Sequence, residues 1–477
     1  MPRQFLIPLF LLITLCACSE ESTPPDNDGD GGISATAWLT SGDGSRRLDP
    51  LGERNFAAGG QEPAEVVSID PGQTFQTMQG FGAALTNSSA WLIEASGSRE
   101  AIIADLFSRE TGIGISYARL PMGASDFTAV PAYTYNDLPA GQSDPDLSEF
   151  SIDPDRAFIL PVLKDALAAR PDLKVIGSPW SAPAWMKSPA TLNGGSLRTQ
   201  YHGVYADYFV RFVQAYAAEG VTVDAITVQN EPLHSTNDYP TMLMQAGQQA
   251  DFIADHLGPA LAAAGLATRI YAYDHNWDRP DYPLAILGDV NARRYVAGTA
   301  WHCYGGSVDA QSTVRDAHPD KDVIFTECSG GEWDSDFGNV LMWNMRNLFI
   351  GSVRNWSSAV LLWNLALDAQ NGPHRGGCGN CRGVVTVRSD GTWERNVEYY
   401  TIGHFSRFVQ PGAVRIASDT YPGSLESVAF RNPDGTLVAV VMNATGSSRD
   451  VAIRRDGNLL TWPDVPARSV LTVTWAE

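Results

Sequence analysis

The chain is short of positive charge. Its 477 residues carry 33 Lys and Arg against 54 Asp and Glu, a formal net charge of −21. Such a surface repels phosphate backbones and anionic headgroups, and no local Lys/Arg cluster offsets it, which argues against nucleic acid and anionic membrane surfaces as partners. Clustered histidines are missing too: the eight His stand singly, without an H-x-H or H-E-x-x-H spacing. A metal-dependent barrel hydrolase would need such ligand pairs, so no metal is expected. There is no G-x-S-x-G elbow for a serine hydrolase and no G-x-x-x-x-G-K-[ST] loop for a nucleotide. No cofactor is expected. Long apolar runs are absent as well, the stretch Phe5–Leu15 being too short for a stable membrane span.

That N-terminal stretch, preceded by Arg3 and followed by Leu15-Cys16-Ala17-Cys18, has the make-up of an export signal. Its L-x-A-C ending resembles a bacterial lipoprotein signal, in which Cys18 becomes the lipidated first residue; an ordinary cleaved signal is the alternative. Residues 19–34, opening with "SEESTPPDNDGDGG", are acidic, Pro- and Gly-rich and read as a solvated tether. Ser19 and Glu20 lack the Asp that resembles an inner-membrane retention signal, so the outer membrane or cell surface is expected, touched only through the anchor; separately, the chain is expected to be a monomer. Four cysteines remain for the folded part. Cys378 and Cys381 lie in a Gly-rich loop with no second pair or histidines near in sequence, so a disulfide is expected there rather than a zinc site.

From residue 71 to 384 short β-rich runs alternate with amphipathic helical stretches such as "YADYFVRFVQAYAAEG". Eight runs can be counted, ending near "MQGFGAALTN", "ISYARLPMG", "LKVIGSPWSAP", "AITVQNEPL", "IYAYDHNW", "GTAWHCYGG", "VIFTECSGG" and "AVLLWNLAL". Eight βα units in this length predict an α/β fold, a (β/α)8 TIM barrel. Residues 35–70 and 385–477 read instead as strands and turns, with Pro433-Asp434-Gly435 marking a hairpin, and predict an appended discontinuous β-sandwich.

Each barrel run finishes in polar or aromatic residues: Asn87, Arg119, Trp180, Asn230 with Glu231, Asp274 with His275, His302 with Tyr304, Glu327, and Trp363 with Asn364. In a barrel those ends share one mouth. Glu231 and Glu327, after runs four and seven, can face each other across it, as glycoside hydrolysis requires: one carboxyl protonates the leaving oxygen, the other meets the developing cationic carbon. Glu332 and Asp334 compete with Glu327 but fall in a loop beyond the strand. Trp180, Trp301, Trp363 and Tyr304 offer flat faces to sugar rings, Asn87, Asn230 and His302 offer hydrogen bonds to hydroxyls, and Arg119 is expected to contact the substrate with them. Repulsion from an ionised Glu327 is expected to hold Glu231 protonated. Taken singly, each residue also has a packing or solvated-loop reading; Trp356 and Trp462 are assigned to packing.

The stretches "QGFGAALTNSSAWL", "RLPMGASDF", "SPWSAPAWMKS", "LNGGSLR", "VQNEPL", "HCY", "FTECSGG", "LLWNLALD" and "GHFSRFVQPG" together resemble glycoside hydrolase family 30, which includes glucocerebrosidase and β-1,6-glucanases. The resemblance implies a retaining mechanism without metal or cofactor, with Glu231 as acid/base, Glu327 as nucleophile and Asn230 on the sugar 2-hydroxyl. Trp180, Tyr304 and Trp363 would line the sugar subsite. Asn87 stands where the sphingolipid-cleaving members have Asp, which loses a charge-assisted bond. The loop "NGPHRGGCGNCRGVVTV" resembles that of the β-1,6-glucanase branch. The resemblance thus points to an endo-β-1,6-glucanase acting on a β-glucan. A glucosylceramidase or other β-glucosidase or β-xylosidase is the runner-up, and a carbohydrate-binding lipoprotein without activity is a reading of a different class.

Overall fold

The computed structural model describes residues 1, 33–59 and 62–477. The signal segment, the lipidation candidate Cys18 and residues 19–32 lie outside the described residues. Ser34, the last residue of the expected tether, already opens a strand, Ser34–Thr40.

Eight strands close into a parallel barrel: Gly80–Ala84, Tyr117–Pro121, Lys174–Ser178, Ala225–Thr227, Arg269–Asn276, Val296–His302, Asp322–Glu327 and Ser357–Leu362, called strands one to eight. They coincide with the eight runs expected from the sequence. Strand eight pairs in parallel with strand one, Ala359 opposite Gly80, which leaves no sheet edge. Helices pack outside, as the spacing of their apolar residues dictates. In His202–Ala218 the buried positions Tyr205, Phe209, Phe212, Val213 and Tyr216 recur every three or four residues along one face. Each such side chain contributes about 1.5–3 kcal/mol on burial.

Alternate residues of the strands point into the barrel, where one apolar layer comprises Tyr117, Ile176, Ala225, Tyr271, Ala300, Ile324, Ala359 and Leu361. That layer seals the barrel below its C-terminal mouth. No helix among the described residues is long and apolar enough to cross a membrane.

The sandwich draws its boundary differently from the sequence reading. Val67–Thr77 runs as one sandwich strand, so residues 71–77 belong to it rather than to the barrel. Its C-terminal part starts at Val414–Ser418, because 385–409 serve the barrel: helix Val397–Ser406 is buried at every position. Phe405 meets Phe81 of strand one at 5.1 Å between ring centres. From the same helix, His404 bridges the hydroxyls of Thr40 and Thr472 in the sandwich at 2.8 Å each. Thr436–Asn443 and Leu425–Arg431 form the expected hairpin, with Gly435 at φ 86° in its turn. Trp462 is buried in the sandwich core, whereas Trp356 is only partly buried, with Arg315 over its ring at 3.9 Å.

Candidate active site

Two residues further along the same strands, and three on strand five where the pairing register shifts, the barrel interior turns from apolar to charged. Asp274, fully buried on strand five, accepts from Arg119 Nη2 at 2.9 Å, Ser178 Oγ at 2.7 Å, Thr227 Oγ1 at 2.6 Å and Thr326 Oγ1 at 2.7 Å. The first three meet Oδ2; His302 Nε2 lies 2.9 Å from Oδ1, the oxygen that Thr326 also reaches. Burial alone would raise the Asp274 pKa, but Arg119 and His302 outweigh it and hold the carboxyl well below its usual range. The hub is therefore an anion carrying two cations. Arg119 extends from it to Glu327 Oε2 at 2.5 Å and to Asn230 Oδ1 at 2.8 Å. Its guanidinium also lies 5.0 Å from the Trp180 ring.

On this layer stands the carboxylate pair. Glu231 follows the short strand four; its φ of 45° is a left-handed conformation that a non-glycine residue adopts at a cost, here fixed by its N–H bond to the Asp274 carbonyl at 3.0 Å and by Pro232 behind it. Glu327 ends strand seven and accepts from the Tyr304 hydroxyl at 3.0 Å. An oxygen of Glu231, an oxygen of Glu327 and a ring nitrogen of His302 all lie within 4.8 Å of one another. This trio offers three ligand atoms to a cation, but Arg119 already supplies a fixed positive charge at Glu327, and with His302 protonated a second one adjoins it.

The protonation order differs from the sequence expectation. Burial works to raise Glu231, yet the hydrogen bond and charge of His302, with His275 and His234, bring it below the usual carboxylate value. Glu327 is raised, by burial first and by the charge of Glu231, against His302 and Arg119. On acidification Glu327 thus takes up a proton before Glu231, because His275 from strand five, His302 from strand six and His234 from a loop gather on the Glu231 side. His302 itself, despite burial, is pushed up to about 9 by Glu327 and Asp274 and is a cation at neutral pH.

Above the pair opens a cleft of about 1050 Å³. Trp180, Asn230, Glu231, Tyr304, Glu327 and Trp363 all line it. Trp180 and Trp363 stack with ring centres 5.1 Å apart. Four of the expected contact residues are elsewhere. Arg119 and His302 are fully buried beneath the carboxylates and act on them, not on the cleft. Asn87, buried in helix Asn87–Ala95, spends its Oδ1 on the Ala129 N–H at 3.0 Å and the Thr128 hydroxyl at 3.3 Å. Trp301 is also fully buried, edge-on to Tyr273 at 5.3 Å, because it neighbours His302 on a strand and so points to the opposite face, toward the helices.

Sequence reasoning missed Asp126. It lines the cleft from a loop beyond strand two, and its carboxyl is pushed up to about 8 by burial and then by Glu327 and Glu231. Gly377 makes room for it: at φ 67°, a Cβ there would stand 2.2 Å from Asp126 Oδ2. Both disulfides border the same cleft. Cys378–Cys381 closes the glycine-rich loop, and Cys303–Cys328 ties the residue after His302 to the residue after Glu327.

Paired carboxyls in a sugar-sized cleft at the mouth of a (β/α)8 barrel define the class: a glycoside hydrolase. The glycosyl hydrolase family 30 TIM-barrel domain profile matches residues 78–409 and the family 30 beta sandwich domain profile matches 412–473. The chain belongs to glycosyl hydrolase family 30. It is similar to an endo-1,6-beta-D-glucanase of Aspergillus fumigatus, 36% identical over 92% of this chain and 94% of that one. It is also similar to the lysosomal acid glucosylceramidase of Mus musculus, 30% identical over 86% of this chain and 83% of that one. Among solved structures, the endo-beta1,6-glucanase BT3312 matches with a TM-score of 0.85 and 36% identity, covering 93% of this chain and all of that one.

Proposed function

We propose that this protein is a retaining endo-β-1,6-glucanase, exported and anchored to the cell surface through a lipidated Cys18. The observation that carries the mechanism is the carboxylate pair, with oxygens within 4.8 Å. Retaining glycosidases hold their carboxyls about 5–5.5 Å apart, whereas inverting ones leave about 6.5–9.5 Å for a water. Glu327, aimed by Arg119 and Tyr304, attacks the anomeric carbon; the bond to the leaving oxygen breaks as that oxygen takes a proton from Glu231. The proton belongs to the His302–Glu231 pair, with Nδ1 3.4 Å from Glu231: the leaving oxygen, turning basic as the bond breaks, draws it through Glu231, and the proton taken from water in the second half returns to His302. In the second half Glu231 takes a proton from water, whose oxygen displaces Glu327 from the sugar. The stacked Trp180 and Trp363 form one side of the subsite for the ring, and Asn230 and Asp126 meet its hydroxyls.

The β-1,6 linkage rests on two relatives at 36% identity over more than nine-tenths of the chain. The glucosylceramidase at 30% identity supports a β-glucoside as the second reading. Product analysis on pustulan, laminarin, xylan and glucosylceramide tests both: oligosaccharides from pustulan with retained anomeric configuration are expected. Turnover of glucosylceramide alone would replace the first reading by the second. No turnover of any, by a chain that still binds glucan, would leave the non-catalytic lipoprotein.

A further inference from the structure

Away from the carboxylates, the cleft wall carries two indole rings for which the mechanism has no use. Trp333 is 59% exposed and Trp343 45%, and both line the cleft. Burying such rings is favourable, so two of them left open in a substrate cleft call for an occupant.

Neither ring is loosely placed. Trp333 stands on a two-stranded ribbon, Gly330–Gly331 paired antiparallel with Cys381–Arg382, whose partner loop is closed by Cys378–Cys381. The Glu332 N–H donates to the Asn380 carbonyl at 2.9 Å and extends the ribbon. The Trp333 ring lies flush on Gly331, where a Cβ would stand 2.0 Å from Cζ3, so a larger residue at 331 would displace the ring. Trp343 ends helix Phe337–Trp343, whose N-terminus is capped by Asp336 accepting from the Asn339 N–H at 2.7 Å. Asp336 is itself paired with Arg468 of the sandwich at 2.6 Å. Two rings on separately fixed elements form a platform that is ready before any ligand arrives.

We infer that Trp333 and Trp343 are a second carbohydrate-binding platform, which holds glucan units beyond those in contact with Glu231 and Glu327. This rests on the glucan reading above. The occupant follows from continuity and chemistry: platform and carboxylate pair share one cleft, indole faces suit the C–H faces of pyranose rings, and Asn339, Asn347 and Asp334 on the same wall bind hydroxyls. The carboxylate of Asp334 beside the rings disfavours an acidic glycan, and the polar rim disfavours an acyl chain.

The test compares the full chain with Trp333→Ala/Trp343→Ala and Trp333→Phe/Trp343→Phe on pustulan and on a short aryl β-gentiobioside. For the Ala pair, KM on pustulan is expected to rise about tenfold with kcat kept, and kcat/KM on the short substrate to stay within about twofold. The Phe pair, which keeps flat rings, should restore most of the pustulan KM. Equal losses on both substrates would overturn the inference, as would an unchanged pustulan KM. Loss confined to glucosylceramide would overturn it in favour of a lipid-binding wall. Affinity electrophoresis in pustulan separates this inference from the catalytic reading. If the wild type hydrolyses nothing yet is retarded and the Ala pair is not, the platform stands and the mechanism falls; if wild type and Ala pair migrate alike, the platform falls.

Discussion

Two layers of the barrel interior, built from the same strands two residues apart, do opposite work. Tyr117, Ile176, Ala225, Ala300 and Ile324 make a dry layer; Arg119, Ser178, Thr227, His302 and Thr326, the next inward positions, make a charged one. The lower layer repays its ordering by burial, while the upper places Arg119, Asp274 and His302 out of water and compensates only by mutual bonding. The contrast shows where this fold is stabilised and where stability is given up for chemistry.

The largest effect expected from breaking the contrast is on turnover. Glu327→Gln should lower kcat/KM on pustulan by about 10⁴-fold while leaving the melting transition near that of the parent, since the amide keeps the shape of the Arg119 contact. A loss of less than tenfold would remove Glu327 from the nucleophile role. Next comes the hub. Asp274→Asn leaves Arg119 and His302 buried without their anion and should cost about 3–5 kcal/mol in denaturant unfolding, together with most activity. A fully active and equally stable variant would show that the upper layer does not depend on it. The lower layer should respond in stability alone: Ile324→Val is expected to cost about 0.5–1.5 kcal/mol with kcat/KM unchanged. A fall in activity at equal folded fraction would mean that the layers are not separable.

The smallest effect is the pH dependence that sharpens the upper layer. Glu327 is raised, so activity should fall on acidification through a limb above the usual carboxylate value, where the nucleophile is neutralised. His302, raised to about 9, should give an alkaline limb there as the donor next to Glu231 is lost. Its contribution to stability has the same sign: complete below the ordinary histidine value of about 6.5 and lost as pH rises through about 9. A kcat/KM profile flat to pH 10, or an alkaline limb unmoved in His302→Gln, would contradict this assignment.

Much of the barrel was legible because a strand buried on both faces must be a short apolar run, and a run that ends at an active mouth must turn polar there. "VIFTE" and "AITVQNE" carry that transition in plain view. Which face each polar residue takes was harder to read. Alternation on strand six could have separated Trp301 from His302, since adjacent residues point oppositely, but it does not tell whether His302 stands above the carboxylates or beneath them. Asn87 was misplaced because the first residue of a helix just after a strand end looks the same in sequence as a cleft position. Asp126 stands inside the stretch "RLPMGASDF" that carries the family resemblance, yet nothing local marks it as a cleft residue: it reaches the cleft because Gly377, some 250 residues away, leaves room for it.

The sequence by itself determined the eight strands, the sandwich and the two glutamates, because periodicity and strand ends are local properties of the chain. Only the tertiary structure decided which glutamate is depressed and which is raised, since that depends on where His234, His275, His302 and Arg119 converge from separate strands and loops. Coulomb energy and desolvation depend on distance through space, and distance through space is what closing the barrel creates.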